Sequence, residues 1–285
     1  MSDSNPLRNE TQGFRAGLFF VGVVLGAVYW LSPTVGNGQG KSEDKVAKPP
    51  EKGVAVNVAA KTGVVRGRIV YQGEIPVPRL LVRQGDPSVK DSAIAAKFDI
   101  PDESLIIDPE SRGVANVYVY LAERPEDWTP PENEKLEGRT VVQKGARYYP
   151  HALAARTNQR IELQNEDPLP HNTHPNPVSN VRFGQVIAPA DEPQRYVFRK
   201  PEKRPFAVVC DFHTWEKCYW LITDHPFAAI TDSEGRFEIA GLPQGPHTFT
   251  LWHESDDFKQ RKLEVKLDAG KTTDLGSIPF QQPAE

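Results

Sequence analysis

Short runs in which hydrophobic and polar residues alternate recur along the chain, and they predict β-strands. The alternation is clearest in VVRGRIVY at residues 64–71, and the run ANVYVYLA at 115–122 also predicts a strand. A period of two places one set of side chains in a core and the other set in solvent. Such runs recur roughly every ten residues between turn sequences such as DSEG and GLPQG, which is typical of β-sandwiches. The pattern therefore predicts an all-β fold.

The remaining predicted elements are short and follow the same pattern. One short helix is expected at 92–97, within the irregular polar stretch 79–112, and the histidine-rich sequence NEDPLPHNTHPNP is expected to be a loop. Further strands are predicted at 105–107, 140–143, 152–156, 160–164, 181–187, 195–199, 206–209, 219–222, 227–231, 236–240, 247–253 and 262–267.

The N-terminal residues have a different character from the rest of the chain. Residues 16–31 form an uncharged apolar run preceded by Arg8 and Arg15, and we interpret residues 1–31 as a cytoplasmic stub with a single transmembrane helix or a signal helix. Residues 32–61 are rich in Gly, Ser, Lys, Glu and Pro and predict a flexible linker. We therefore expect the remainder to be exported, either periplasmic or extracellular, and held at the membrane by this anchor.

Composition excludes some functions. The formal net charge is −4 at pH 7, and no basic stripe interleaves with aromatic residues, so we expect no nucleic-acid partner. No Ser-His-Asp arrangement, paired-carboxylate signature or HExxH motif is present in the sequence. We therefore expect the protein not to be an enzyme.

The stretch FAVVCDFHTWEKCYW, residues 206–220, concentrates the chemistry. Cys210 and His213 lie on one short loop between two predicted strands, so a thiolate and an imidazole can converge on one metal ion. A trigonal copper site with two histidines and one cysteine needs a second imidazole. His171 or His174 in the upstream loop can supply it.

Two other interpretations of the same residues remain open. Exported proteins with two cysteines commonly join them, so Cys210 and Cys218 predict a disulfide in a metal-free structural or carbohydrate-binding module. A structural zinc site is the other interpretation, with His171, His174, Cys210 and His213 as its ligands. The spacing of His213 from Cys210 and the upstream His171 favour a metal over the disulfide.

The segments RGRIVYQGEIPVP, GVANVYVYLAERP and YYPHALAARTNQRIELQNEDPLPHNTH, with the stretch around Cys210, resemble a family of exported bacterial proteins described as cupredoxin-like or methylamine-utilisation-like. The resemblance covers residues 62–255. Separately, TDSEGRFEIAGLPQGPHTFTLWHE resembles the carboxypeptidase regulatory-like domain, a transthyretin-type sandwich grouped with carbohydrate-binding-like folds. The second resemblance implies a fold more than an activity.

The cupredoxin resemblance implies copper ligands at His171, Cys210 and His213. The family loop usually continues with Pro, Trp and Met, but here Thr214 replaces the proline and Glu216 stands at the methionine position. Since Met1 is the chain's one methionine, no thioether ligand is available. Glu216 either supplies an oxygen ligand or is a solvated loop carboxylate, which is the commoner state of such a residue.

The resemblance implies a cupredoxin-like Greek-key sandwich at 62–224 and a small regulatory-like sandwich at 225–281, followed by a tail at 282–285. Because the segments at 64–71 and 115–122 also look like opening strands of the second sandwich type, the copper-type segment is alternatively an insertion within one discontinuous domain. The function implied is copper binding for electron transfer or copper holding, with a redox partner protein. The metal-free alternative has a glycan as its partner.

Overall fold

The computed structural model describes residues 62–255 and 261–280. Within these ranges the chain forms strands and one four-residue helix, α1 (Ser92–Ala95), so the predicted all-β class is confirmed. The strands are, in chain order, β1 (Thr62–Tyr71), β2 (Leu80–Val82), β3 (Ile100–Pro101), β4 (Tyr118–Leu121), β5 (Arg139–Gln143), β6 (Tyr148–Tyr149), β7 (Ala152–Arg156), β8 (Arg160–Asn165), β9 (His171–Pro175), β10 (Gln185–Ile187), β11 (Gln194–Val197), β12 (Phe206–Val209), β13 (Lys217–Thr223), β14 (Ala228–Ile230), β15 (Arg236–Pro243), β16 (Gly245–Trp252), β17 (Arg261–Leu267) and β18 (Thr272–Phe280).

Strands from both ends of the described chain form one sandwich, which we call the terminal sandwich. Its two sheets have the orders β15-β1-β18 and β14-β4-β16-β17. The alternation in β1 turns Val65 and Ile69 inward, where both are fully buried against Phe249 and other apolar side chains of the facing sheet. Burial of these side chains away from water is the main stabilising contribution to such a core.

The strands between them in sequence form a second sandwich, which we call the central sandwich. Its sheets have the orders β10-β9-β12-β13-β7 and β11-β8-β5-β6. Val208 and Trp220 are fully buried in its core, together with both cysteines of the chain, Cys210 and Cys218. The sulfur atoms therefore belong to the interior of this sandwich and not to its surface.

The strand pairing bears on the two domain arrangements that the sequence left open. β1 pairs with β15 and β18, and β4 pairs with β14 and β16, whereas β5 to β13 pair among themselves. This pairing is what an inserted central segment would produce. The boundary predicted between residues 224 and 225, and the kinship of each sandwich to a known domain type, stay predictions.

The structure corrects several predicted elements. The segment 105–107 forms only one isolated bridge, from Ile107 to Val114, because its backbone is taken up in a local turn in which Asp108 donates to Gly113. The segment predicted as a strand at 181–187 is a strand only over Gln185–Ile187. Conversely, the sequence predicted as a histidine-rich loop contains β9, which pairs with β10 on one side and β12 on the other.

The predicted membrane anchor at 16–31, the linker at 32–61 and the tail at 282–285 lie outside the described residues. Among the residues that the structure describes, no helix has the length and apolar character needed to cross a membrane.

Candidate metal centre

One loop brings three potential metal ligands together at the end of the central sandwich. β12 ends at Val209, which pairs with Lys217 at the start of β13. Across the loop between them, the backbone N–H of Cys210 donates to the carbonyl of Glu216 (3.0 Å), and the N–H of Glu216 donates to the carbonyl of His213 (2.9 Å). These bonds fold the loop back on itself, so the three side chains are held near one another by local structure.

The fourth residue reaches the loop through strand pairing. His171 is the first residue of β9, where it pairs with Ile187 of β10, and β9 also lies beside β12. The side chain of Asn172 ties the strand to the loop, since its Oδ1 accepts the backbone N–H of Asp211 at 2.6 Å. Adjacent strands of one sheet therefore make the long-range contact that brings His171 to the loop.

The four predicted ligand residues form a compact, buried cluster. One potential ligand atom from each of His171, Cys210, His213 and Glu216 lies within 4.8 Å of all the others. Oε2 of Glu216 is 2.9 Å from Nδ1 of His171 and 3.6 Å from Nδ1 of His213. Sγ of Cys210 is 3.7 Å from Nδ1 of His213. All four residues are at most 2% exposed, so any ion held there would be shielded from water.

Carboxylates outside the cluster occupy the opposite edge of each imidazole. Oδ2 of Asp167 lies 2.9 Å from Nε2 of His171, and Oδ2 of Asp91 lies 3.1 Å from Nε2 of His213. A carboxylate that accepts the Nε2–H of a histidine fixes the ring and leaves Nδ1 available as a metal ligand. Both rings therefore turn Nδ1 towards the centre of the cluster.

The sequence gives little indication of these outer residues. Asp167 had a detectable signal, because it lies four positions before His171 in the same short segment. Asp91 had none, since 122 positions separate it from His213. Gln143 was also missed: its Nε2 donates to Oε1 of Glu216 at 3.1 Å, and its own Oε1 is buried without a hydrogen-bond partner among the described residues.

Electrostatics of the cluster favour ionised donors. Burial opposes ionisation of Cys210, but hydrogen bonds to His171 and His213 outweigh it, so the pKa of the thiol is lowered. Burial likewise opposes ionisation of Glu216, and the same two histidines lower its pKa. The thiolate and the carboxylate are the forms that bind metal ions.

The pKa values of the two imidazoles are raised, whereas those of Cys210 and Glu216 are lowered. Burial alone lowers the pKa of His171, but Asp167, Cys210 and Glu216 raise it to about 11. For His213, burial is likewise outweighed, here by Cys210, Glu216 and Asp91, and its pKa is raised to about 9. In the absence of a metal the ring protons offset the charges of the thiolate and the carboxylate, and a metal ion would take the place of the proton on Nδ1 of each ring.

Glu216 and His174 differ from what the loop sequence suggested. Glu216 is 1% exposed and hydrogen-bonded within the cluster, so its interpretation as a solvated carboxylate is wrong. His174 lies apart from the cluster, with 36% of its side chain exposed and its Nδ1 3.1 Å from Asp211. The zinc site that would have used His174 is therefore not assembled.

The alternative disulfide is not formed either. Cys210 and Cys218 are both free thiols. In the hairpin of β12 and β13, Cys218 lies opposite Val208 and Cys210 lies opposite Glu216, so the two cysteines occupy diagonal positions. Diagonal neighbours are roughly 7–8 Å apart, whereas a disulfide needs Cα atoms about 4.4–6.8 Å apart. The strand register explains why the thiols remain separate.

No protein-family model matches the chain, and no curated protein matches it. Among solved structures it is similar to a Cu-containing nitrite reductase from Thermus scotoductus SA-01, with 21% identity and a TM-score of 0.29 over 36% of this chain and 26% of that one. It is also similar to a purple cupredoxin from Nitrosopumilus maritimus, with 18% identity and a TM-score of 0.26 over 30% of this chain and 99% of that one. A third is amicyanin from Paracoccus versutus, with 13% identity and a TM-score of 0.27 over 36% of this chain and 90% of that one.

Each of these matches covers about a third of this chain. The first neighbour is much longer than the matched part, since the chain spans only 26% of it. The regulatory-like resemblance of the C-terminal segment and the export of the protein stay predictions.

Proposed function

We propose that this protein binds one copper ion and uses it for electron transfer. The observation that carries the proposal is the buried cluster of His171, Cys210, His213 and Glu216, whose potential ligand atoms lie within 4.8 Å of one another. Two imidazoles and a thiolate are the donor set of copper electron-transfer sites. The donors present therefore fit copper.

Each residue has a distinct role in the proposal. The Cys210 thiolate and the two imidazoles supply the strong donors, and Glu216 supplies a carboxylate oxygen where the family pattern has a thioether. The chemistry that copper supplies at such a site is a one-electron couple between Cu(II) and Cu(I). A carboxylate favours the more highly charged ion, so we expect a lower reduction potential than a thioether would give.

The burial of the cluster supports electron transfer over a reaction with a substrate. All four residues are almost fully shielded, so a substrate has no access to a metal held between them. Electrons, unlike substrates, need no open coordination position. Copper holding is the second candidate, and the burial supports it too, because enclosed ligands slow the exchange of a bound ion.

The cellular setting is part of the proposal. We place the described residues outside the cytoplasm, tethered through the predicted anchor at 16–31, with a redox protein as the partner. The glycan-binding alternative, which would stack a sugar on Trp215, Trp220 and Trp252, is less well supported, since Trp220 and Trp252 are 0% and 5% exposed and Trp215 packs against a small apolar cluster. The proposed function includes no nucleic-acid partner.

The test is copper titration of the reduced full-length protein, followed by visible and EPR spectroscopy. We expect one equivalent of Cu(II) to give an intense thiolate-to-copper band, and Cys210→Ser to abolish it. Cys218→Ser is the matched control, because Cys218 is also buried in the central core but lies outside the cluster. An absent band in the wild type, or equal binding by Cys210→Ser, would refute the proposal.

Competition between zinc and copper distinguishes a copper site from a structural zinc site. The set of two histidines, one cysteine and one glutamate also suits a tetrahedral zinc ion. We expect copper to displace zinc at equal concentrations, because Cu(II) binds such sites more tightly than Zn(II). Zinc retained against an excess of copper would instead identify a structural zinc site.

A further inference from the structure

The short elements β2, α1 and β3 belong to a segment, residues 80–101, that packs onto the ligand loop. Val82, Ala95 and Ile100 of this segment are buried in a small apolar cluster with Ala146. Trp215, which lies between His213 and Glu216 in the loop, packs against this cluster. Its Nε1–H also donates to the Ala146 carbonyl at 3.2 Å. The 80–101 segment is therefore anchored directly on the loop that carries the metal ligands.

Asp91 is the residue of this segment that reaches the cluster. Its Oδ2 lies 3.1 Å from Nε2 of His213, whose side chain is fully buried, while 43% of the Asp91 side chain is exposed. The neighbouring Lys90 places its ammonium 4.6 Å from the centre of the Phe212 ring. The outer edge of His213 thus meets a carboxylate at the surface of the protein and not bulk water.

The backbone at Asp91 indicates that this contact is not incidental. Asp91 occupies the N-cap position of α1, where an aspartate normally accepts a hydrogen bond from a helix N–H, but its side chain makes no such bond. Its backbone is in the left-handed region, with φ 54° and ψ 36°, which aspartate adopts more readily than most residues other than glycine. Because a side-chain cap needs a non-helical, extended N-cap backbone, this conformation leaves the carboxylate free to contact His213 instead.

We propose that Asp91 is a positioning residue of the copper centre. Its carboxylate accepts the Nε2–H of His213 and holds Nδ1 of that ring towards Cys210 and Glu216. Its negative charge also favours Cu(II) over Cu(I). This inference rests on the proposed function for its effect on copper, but the orientation of the ring is independent of any metal.

Two physical effects combine at this contact. A carboxylate behind a ligand histidine raises the basicity of the ring and fixes its orientation, and its loss typically lowers metal affinity about 10- to 100-fold. A nearby negative charge attracts a doubly charged ion more strongly than a singly charged one. Removing the charge should therefore weaken the binding of Cu(II) more than that of Cu(I).

The copper experiment compares Asp91→Asn with Asp99→Asn in the full-length protein. Asp99 lies in the same segment but accepts the backbone N–H of Gln84, so its substitution removes a charge without touching the ligand. We expect Asp91→Asn to reduce the ratio of Cu(II) to Cu(I) affinity about tenfold, which raises the midpoint potential by about 59 mV for a one-electron couple. Asp91→Glu keeps the charge and should leave the potential close to that of the wild type, and Asp99→Asn should change it little. Equal potentials for the two asparagine variants would overturn the effect on copper.

A metal-free readout keeps the inference separate from the proposed function. In ¹H–¹⁵N NMR spectra of the full-length protein without metal, we expect the Nε2–H of His213 to exchange slowly with solvent. Asp91→Ala should speed this exchange, because it removes the acceptor, and Asp99→Ala should not. If the wild type fails to form the thiolate-to-copper band, the proposed function fails, while slow exchange that depends on Asp91 still supports the positioning role. Exchange that is equally slow in both variants would overturn that role.

Discussion

Replacing Glu216 with methionine should destabilise the metal-free protein, although it puts an apolar side chain at a buried position. The Glu216 side chain is fully buried, with Oε2 2.9 Å from Nδ1 of His171. Its Oε1 accepts the Nε2–H of Gln143 at 3.1 Å. The methionine sulfur is only a weak acceptor, so Glu216→Met removes the ion-pair partner at Nδ1 of His171 and one of the acceptors of the Gln143 amide.

The size of the effect follows from the surroundings of His171. Removing one member of a buried ion pair typically costs about 3–5 kcal/mol. Asp167 still pairs with the other nitrogen of the ring, at 2.9 Å, so the lower end of that range applies. A loss of about 3 kcal/mol in a domain of roughly 150–250 residues lowers Tm by about 6–12 °C.

The assay is urea unfolding of the metal-free full-length protein, followed by tryptophan fluorescence. Glu166→Met is the matched control, because Glu166 is 45% exposed and pairs with Lys144 at the surface. We expect that control to stay within about 0.5 kcal/mol of the wild type. Equal unfolding midpoints for Glu216→Met and the wild type would refute the conclusion that the carboxylate is a buried partner of His171. With copper bound, the same variant should turn blue, since a thioether then takes the place of the carboxylate.

Two further predictions concern carboxylate–histidine pairs. Burial lowers the pKa of His151, but Glu103 and Glu254 outweigh it and raise the pKa to about 9. Against an unfolded pKa of about 6.5, this contributes up to about 3 kcal/mol of stability, present in full below about pH 6.5 and lost as pH rises through about 9. Unfolding midpoints should therefore fall more steeply with pH in the wild type than in His151→Gln, and parallel curves would contradict this. Asp167→Asn should lower Cu(II) affinity about 10- to 100-fold in competition with a chelator, because Nε2 of His171 loses its carboxylate; unchanged affinity would argue against that role.

Several strands were predicted well from the sequence. The segment at 64–71 lies within β1, and those at 140–143 and 160–164 lie within β5 and β8. The predictions were wrong where backbone hydrogen bonds take another course. The backbone near Ile107 bonds within a turn, and His171 lies in a strand despite the prolines around it. Local composition does not reveal which neighbour a backbone group will meet.

In the candidate metal centre too, local spacings were predictable from the sequence and long-range packing was not. Cys210 and His213 were identifiable because they lie three positions apart on one loop between two strands. His171 was identified by the family resemblance, and the structure brings it to the loop through the pairing of β9 and β12. Glu216 was left open between an oxygen ligand and a solvated carboxylate, since its position in the loop carries no information about what packs over it.

The sequence by itself determined the all-β class and the grouping of a thiol, an imidazole and a carboxylate on one loop, because both depend on side-chain periodicity and short spacings. Only the tertiary structure decided that Glu216 is buried, that Cys210 and Cys218 stay apart, and that β1 joins the C-terminal strands. It also decided that Asp91, 122 positions from His213, covers the outer edge of that ring. Solvent exposure and long-range contacts depend on which segments pack together, and that packing is a property of the whole fold and not of any single segment.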